Sequence, residues 1–219
     1  MSTSEVGLCN MALSHLGQDT QISSISPTDG SRESGYCATF YPIARQELIE
    51  SSPWSFTTTR VALAETTNPS VVWAYAYALP SECLKPVRVL TQGDFSSIFL
   101  RADRVDSYPG TSDDLFDEGN SANFQIEGRV LFTQEPEAVL IYRKDVTDTG
   151  KFTPGFASAL SMLLAAYLAG PIIRGREGAG TAASWREQAS LATKRAAYLD
   201  ANSSSQRNDP TPEHIAGRG

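Results

Sequence analysis

The chain has 219 residues, 41% of them hydrophobic and 20% charged, the composition of an ordinary globular protein with room for one substantial core and a second small unit. Its formal charge of −7 leaves no basic surface large enough to grip phosphates, which excludes tight nucleic-acid binding as a leading role. Three scattered cysteines, Cys9, Cys37 and Cys83, are an odd set that excludes a disulfide framework and fits a reducing cytoplasm, with each thiol acting as a small hydrophobe.

The N-terminal segment has no basic stretch followed by an apolar run and does not read as a signal peptide. Ser2 and Glu5 have capping-box spacing, and Val6, Cys9, Leu13 and Leu16 recur with helical period, which predicts a first helix over about 4–16. Residues 18–30, with Pro27 and Gly30, read as a connection. A second helical pattern starts near Ser31 and places Cys37, Tyr41, Ala44 and Leu48 on one stripe. Pro42 falls inside that pattern and predicts a kink. Pro53 ends it, because the residue before a proline is pushed out of the helical region.

Beyond Trp54 the pattern turns to strands: 71–80, 85–91, 96–101, 123–127, 129–134 and 138–144, with a hairpin turn at Gly128. A loop over 107–123 holds the acidic group Asp113, Asp114, Asp117 and Glu118. Helix returns at 153–170 with Phe156, Leu160, Leu163, Leu164, Tyr167 and Leu168 on one broad face. Residues 156–173 carry no charge and approach the length of a membrane span, but their Ala, Ser and Gly content and Pro171 favour a buried bundle helix. "GREGAG" at 175–180 reads as an interhelical turn. A last helix then runs to about residue 200 with Trp185, Ala189, Ala192, Ala196 and Leu199 on one stripe.

This order predicts an α+β fold: a four-helix bundle built from both chain ends, with an inserted antiparallel β domain and an extended C-terminal tail. The divisions fall at 1–60 and 151–201 for the two halves of the bundle, 61–150 for the β domain, and 202–219 for a polar tail.

No catalytic residue, metal ligand set or cofactor site is expected. His15 stands near the end of the first helix, where the helix dipole accounts for it, and His214 lies in the tail. The acidic group lacks the spacing of a calcium loop and reads as solvated. Glu135 and Glu137 flank Pro136 and read as turn residues rather than a glycosidase pair. "GREGAG" does not match a phosphate-binding loop, and Arg174, Arg176 and Arg186 read as solvated or interface charges. Pro53, Trp54 and Phe56 form the candidate latch: two rings two positions apart share one side if the segment is extended, and their burial fixes how the β domain leaves the bundle.

The runs "YPIARQELIESSPWSFTTTRVAL" at 41–63 and "WAYAYALPSECLKPVRV" at 73–89 carry a family pattern. With Arg45, Leu48, Pro53, Trp54, Phe56, Arg60, Leu63, Tyr75, Tyr77, Leu79, Pro80, Cys83 and Leu84 in place, the chain resembles the head-to-tail adaptor proteins of tailed bacteriophages, the tail tubular protein A or tail accessory group. The resemblance extends to residues 156–172 and the alanine-rich last helix. Glu82 stands where that family often has Asp, and Phe56-Thr57 where it commonly has Phe-Ala.

The resemblance implies a structural, non-enzymatic virion component assembled in the host cytoplasm. Its homo-oligomeric ring, of twelve copies, would sit between the portal protein and the tail nozzle or tail tube protein, with DNA passing through the lumen without specific binding and no membrane contact. It implies portal binding by the tail residues Asn208, Pro210, Pro212, His214, Ile215 and Arg218, and the acidic loop would face the lumen or the tail. Alternatives from other classes are a tail-associated peptidoglycan hydrolase and a scaffold for another oligomeric partner.

Overall fold

The computed structural model describes residues 4–90 and 122–203. Among these residues four helices, α1 (Glu5–His15), α2 (Arg32–Ser51), α3 (Pro154–Ile173) and α4 (Gly175–Ser203), flank seven strands: β1 (Thr58–Ala62), β2 (Ala64–Glu65), β3 (Tyr75–Ala78), β4 (Cys83–Leu90), β5 (Phe124–Glu127), β6 (Val130–Thr133) and β7 (Val139–Lys144). The fold is α+β, with antiparallel sheets. The expected strand at 96–101 and the acidic group at Asp113, Asp114, Asp117 and Glu118 lie outside the described residues, as do Asn208, Pro210, Pro212, His214, Ile215 and Arg218.

Helix starts follow local chemistry. The cap of α1 is Ser4 rather than Ser2, because the helix begins at Glu5 and the Ser4 hydroxyl accepts from the Gly7 N–H at 3.0 Å. Ser31 caps α2 by accepting from Ser34, and Thr153 caps α3 by accepting from Phe156, with Pro154 at the first helical position. Pro42 lies inside α2 without ending it. The expected turn at 175–180 is instead the first part of α4: the break is confined to Arg174, whose backbone is at φ 63°. A Cβ on Gly178 would stand 3.0 Å from the Ala169 carbonyl oxygen, and one on Gly155 would stand 2.8 Å from the Ala196 Cβ. The glycines therefore let α3 and α4 lie close and antiparallel from end to end.

α3 packs along α4 and against α1 and α2. Leu8, Leu13, Tyr41, Leu48, Ile49, Phe156, Leu160, Leu164 and Ala189 belong to one apolar cluster drawn from all four helices. The apolar run of α3 is thus largely enclosed by protein, its window of highest hydropathy 61% buried. The stripe of α4 ends differently from the expectation: Ala189 and Ala196 are buried, but Leu199 is exposed and Asp200 takes the buried position one turn after Ala196.

Strands β1, β7 and β4 form one sheet in that order, and β2, β3, β6 and β5 form the other. The chain passes from β1 to β2 at Leu63, whose N–H donates to the Ala138 carbonyl. Glu127 pairs with Val130 across the two-residue turn at Gly128, whose φ of 60° suits glycine. The expected strand over 71–80 is confined to Tyr75–Ala78, because Val72, Trp73 and Ala74 spend their backbone groups on Ser70, Asn68 and Gln134 side chains. Strands β1 and β2 were not expected; they are short and exist by pairing with β7 and β3. Tyr77, Val89, Leu131, Leu140 and Tyr142 form a second, smaller apolar cluster.

Candidate functional site

The region where the helices meet the strands holds the most distinctive chemistry among the described residues. Pro53 is exposed and Trp54 is fully buried. The Trp54 indole Nε1–H donates to the Leu48 carbonyl at 2.8 Å, so the ring is folded back on the helix that Pro53 has just ended. It meets Phe156 edge-on, ring centres 5.0 Å apart. Phe56 meets the same ring at 5.1 Å, and Phe152 closes the group at 4.7 Å from Phe156. Such pairs add about 0.5–1.5 kcal/mol each beyond area burial.

The route to this convergence differs from the expected one. Ser55–Thr57 forms a 3-10 turn, not an extended segment, and Phe56 is only half-buried. The turn is closed by Thr57, whose N–H and hydroxyl both donate to the Trp54 carbonyl. It is also held from outside: the Ser55 N–H and hydroxyl donate to the two carboxylate oxygens of Asp200 at 2.6 and 2.9 Å. The last turns of α4 thereby fix the start of the strand region.

A polar tie runs parallel to the aromatic one. Arg45, buried on α2, makes a forked contact with Asp145 just past β7, with Nη2 at 2.9 and 3.0 Å from the two oxygens and Nε at 3.2 Å from the first. Gln46 donates to the same carboxylate at 2.9 Å. Arg143 donates to the Ile49 and Glu50 carbonyls at 3.4 and 2.6 Å, satisfying the exposed end of α2. The Asp145 N–H donates to the Glu82 carbonyl, linking β7 to the turn before β4. Hydrogen bonds from Lys144 and Tyr142 hold the Glu82 carboxyl below its usual range.

His15 has a different environment from the one expected. It packs against Trp185 at 4.6 Å between ring centres, and its Nε2 lies 3.2 Å from the Ser161 Oγ. The Ser161 hydroxyl already donates to the Ser158 carbonyl, so His15 donates through Nε2–H. Burial lowers its pKa, which favours the neutral ring; packing between α1, α3 and α4, rather than a charge at the helix end, accounts for the residue.

The remaining sequence candidates disperse. Glu135 and Glu137 lie in the β6–β7 connection, where Glu137 has φ 51° and Tyr77 donates its hydroxyl to the Glu135 carbonyl. Arg186 joins Glu47 at 3.5 Å and stands over the Tyr167 ring, while Arg174 and Arg176 are exposed. All three cysteines are buried free thiols. Sequence reasoning found Pro53, Trp54 and Phe56 but missed Arg143, Asp145 and Asp200. Asp200 could have been found, since it stands four positions after Ala196 on the buried stripe.

No group of three potential metal ligands occurs among the described residues. No protein-family model matches the chain, and a search of curated proteins finds no match.

Proposed function

We propose that the chain is a structural subunit of a head-to-tail adaptor ring: a four-helix bundle from both chain ends carries an inserted β domain, and the C-terminal tail reaches the portal protein. The observation that carries this reading is the Pro53-Trp54-x-Phe56 turn, which with Tyr77-x-Leu79-Pro80 is the most specific part of the family resemblance, clamped between Leu48, Phe156 and Asp200. A subunit that joins two assemblies needs its ends held at a constant angle while force acts along it, and this doubled aromatic and polar joint suits that task. The helical packing through α3 supports the bundle arrangement.

In this reading residues 202–219 reach the portal and another surface of the subunit meets the tail component. Part of the acidic excess lines the passage for DNA, where carboxylates repel phosphates within about 8 Å at physiological salt. The role is structural, without catalytic residues or a cofactor.

Electron microscopy and mass measurement of the purified chain with and without isolated portal test the reading. Rings on portal, weakened by deleting 202–219 without marked loss of helical content, are the expected result. A chain that never binds portal overturns it.

A further inference from the structure

Helix α4 has two faces. One is buried through Gly178, Ala189, Ala196 and Asp200; Leu191 and Tyr198 nearly opposite, and Leu199 on the flank between, remain 62%, 68% and 57% exposed. Isolated exposed apolar residues are ordinary, but these share one side of one helix with Glu187 and Arg195. Neither of those charged groups has an ion-pair partner among the described residues.

The order of side chains along this face is self-complementary. Starting at Leu191 and moving toward the N-terminus, the face presents acidic Glu187, then small Ala183 and Ser184. Moving toward the C-terminus it presents basic Arg195, then bulky Tyr198 and Leu199, at the same spacings. A shallow depression of about 370 Å³, lined by Met162, Ser184, Glu187, Gln188, Leu191 and Ala192, lies beside the small and acidic half.

We propose that this face of α4 pairs with the same face of a second copy of the chain, antiparallel, about a two-fold axis at Leu191. Leu191 then meets its own counterpart. Glu187 faces Arg195 of the second copy, twice by symmetry, and Tyr198 of each copy enters the depression beside Ser184 of the other. Ala183 leaves room for Leu199. Antiparallel helices also set opposite dipole ends together, and small-against-large order lets the two surfaces interlock. A parallel arrangement keeps the Leu191 contact but sets Glu187 against Glu187 and Arg195 against Arg195.

The pairing goes beyond the adaptor reading and does not depend on it. Neighbours in a cyclic ring are related by rotation about the ring axis, whereas this contact has its own two-fold axis across the helix. It therefore describes a dimer that exists away from the ring.

Sedimentation of the full chain over a concentration series tests it. A monomer–dimer equilibrium is expected, weakened roughly tenfold or more by Glu187→Arg or by Arg195→Glu and restored when both are combined. All are exposed positions, and unchanged circular dichroism verifies folding. Leu191→Cys supplies a second readout: in the dimer, diamide takes the hydrogens of the two introduced thiols, becomes the hydrazide, and leaves one disulfide across the axis. The native thiols are buried, so the unsubstituted chain is the control. A wild-type monomer at every concentration, no rescue by the double exchange, or no cross-link at position 191 overturns the proposal. Failure to form rings on portal, with the dimer intact, overturns only the adaptor reading.

Discussion

In the helices, buried side chains of α1, α2, α3 and α4 run together into one apolar cluster, whereas the two sheets gather a smaller set around Tyr77, Val89, Leu131, Leu140 and Tyr142. Fully burying a Leu, Val or Phe side chain is worth about 1.5–3 kcal/mol, so the helical cluster has much the larger reserve. The sheets lean on their neighbours. Trp54 and Phe56 insert into the helical cluster from one side, and Arg45 reaches Asp145 from the other. The contrast assigns stability to the helices and orientation to the joint.

The largest break in that contrast is Trp54→Ala, which removes a fully buried ring and should cost about 3–5 kcal/mol in chemical denaturation. Trp54→Phe keeps a ring but removes one of the two donors to the Leu48 carbonyl, the Ser51 hydroxyl remaining, with an expected loss of about 0.5–1.5 kcal/mol. If Trp54→Ala leaves the unfolding midpoint unchanged, the ring does not tie the strands to the helical core.

Arg45→Met comes next. It leaves Asp145 with Gln46 as its remaining side-chain donor from α2, and a loss of about 2–4 kcal/mol is expected. Combining it with Asp145→Asn should cost less than the two separate losses together, because each single change already breaks the same contact. Amide hydrogen exchange should rise first in β7 and β4, not in α3.

Gly155→Ala sharpens the helical side of the comparison. Its Cβ would meet the Ala196 Cβ at 2.8 Å, closer than two carbons tolerate, and the expected cost is about 1–3 kcal/mol. Ala196→Gly in the same chain should recover part of that loss, read as the shift in melting temperature.

The smallest effect concerns pH. The His15 pKa is lowered by burial from its ordinary 6.5, so the unfolded chain takes up the proton first as pH falls. This contribution is complete above about pH 6.5 and is lost on the way down through the folded pKa. Melting temperatures between about pH 5 and pH 7.5 should therefore decline on acidification, and less steeply in His15→Gln. Equal slopes would remove His15 as the cause.

The helices were legible because each repeats an apolar stripe over three or more turns, and their observed bounds lie near those expected except at 175–180, where the glycines serve packing. Strands β4, β5, β6 and β7 carry enough Val, Ile, Leu and Phe to be read locally. Strands β1 and β2 do not: "TTRVA" and "AE" have no periodic signal, and they are strands through pairing with β7 and β3. The aromatic half of the joint was legible in Pro53, Trp54 and Phe56 because two rings after a helix-ending proline are conspicuous. Its polar half was not, since Arg45 and Asp145 are 100 residues apart and either side chain alone reads as a surface charge.

By itself the sequence determined where α1, α2 and α3 lie, most of the apolar faces of the helices, and that an aromatic turn follows α2. These depend on neighbours within a few residues, where hydrogen-bond reach and side-chain period leave little choice. Only the tertiary structure decided that the turn is 3-10 rather than extended, that Asp200 rather than Leu199 is buried, and that Arg45, Asp145 and Arg143 complete the joint. Those outcomes depend on charged and polar groups finding partners far along the chain, because a buried carboxylate or guanidinium is tolerated only where the fold supplies its counterpart.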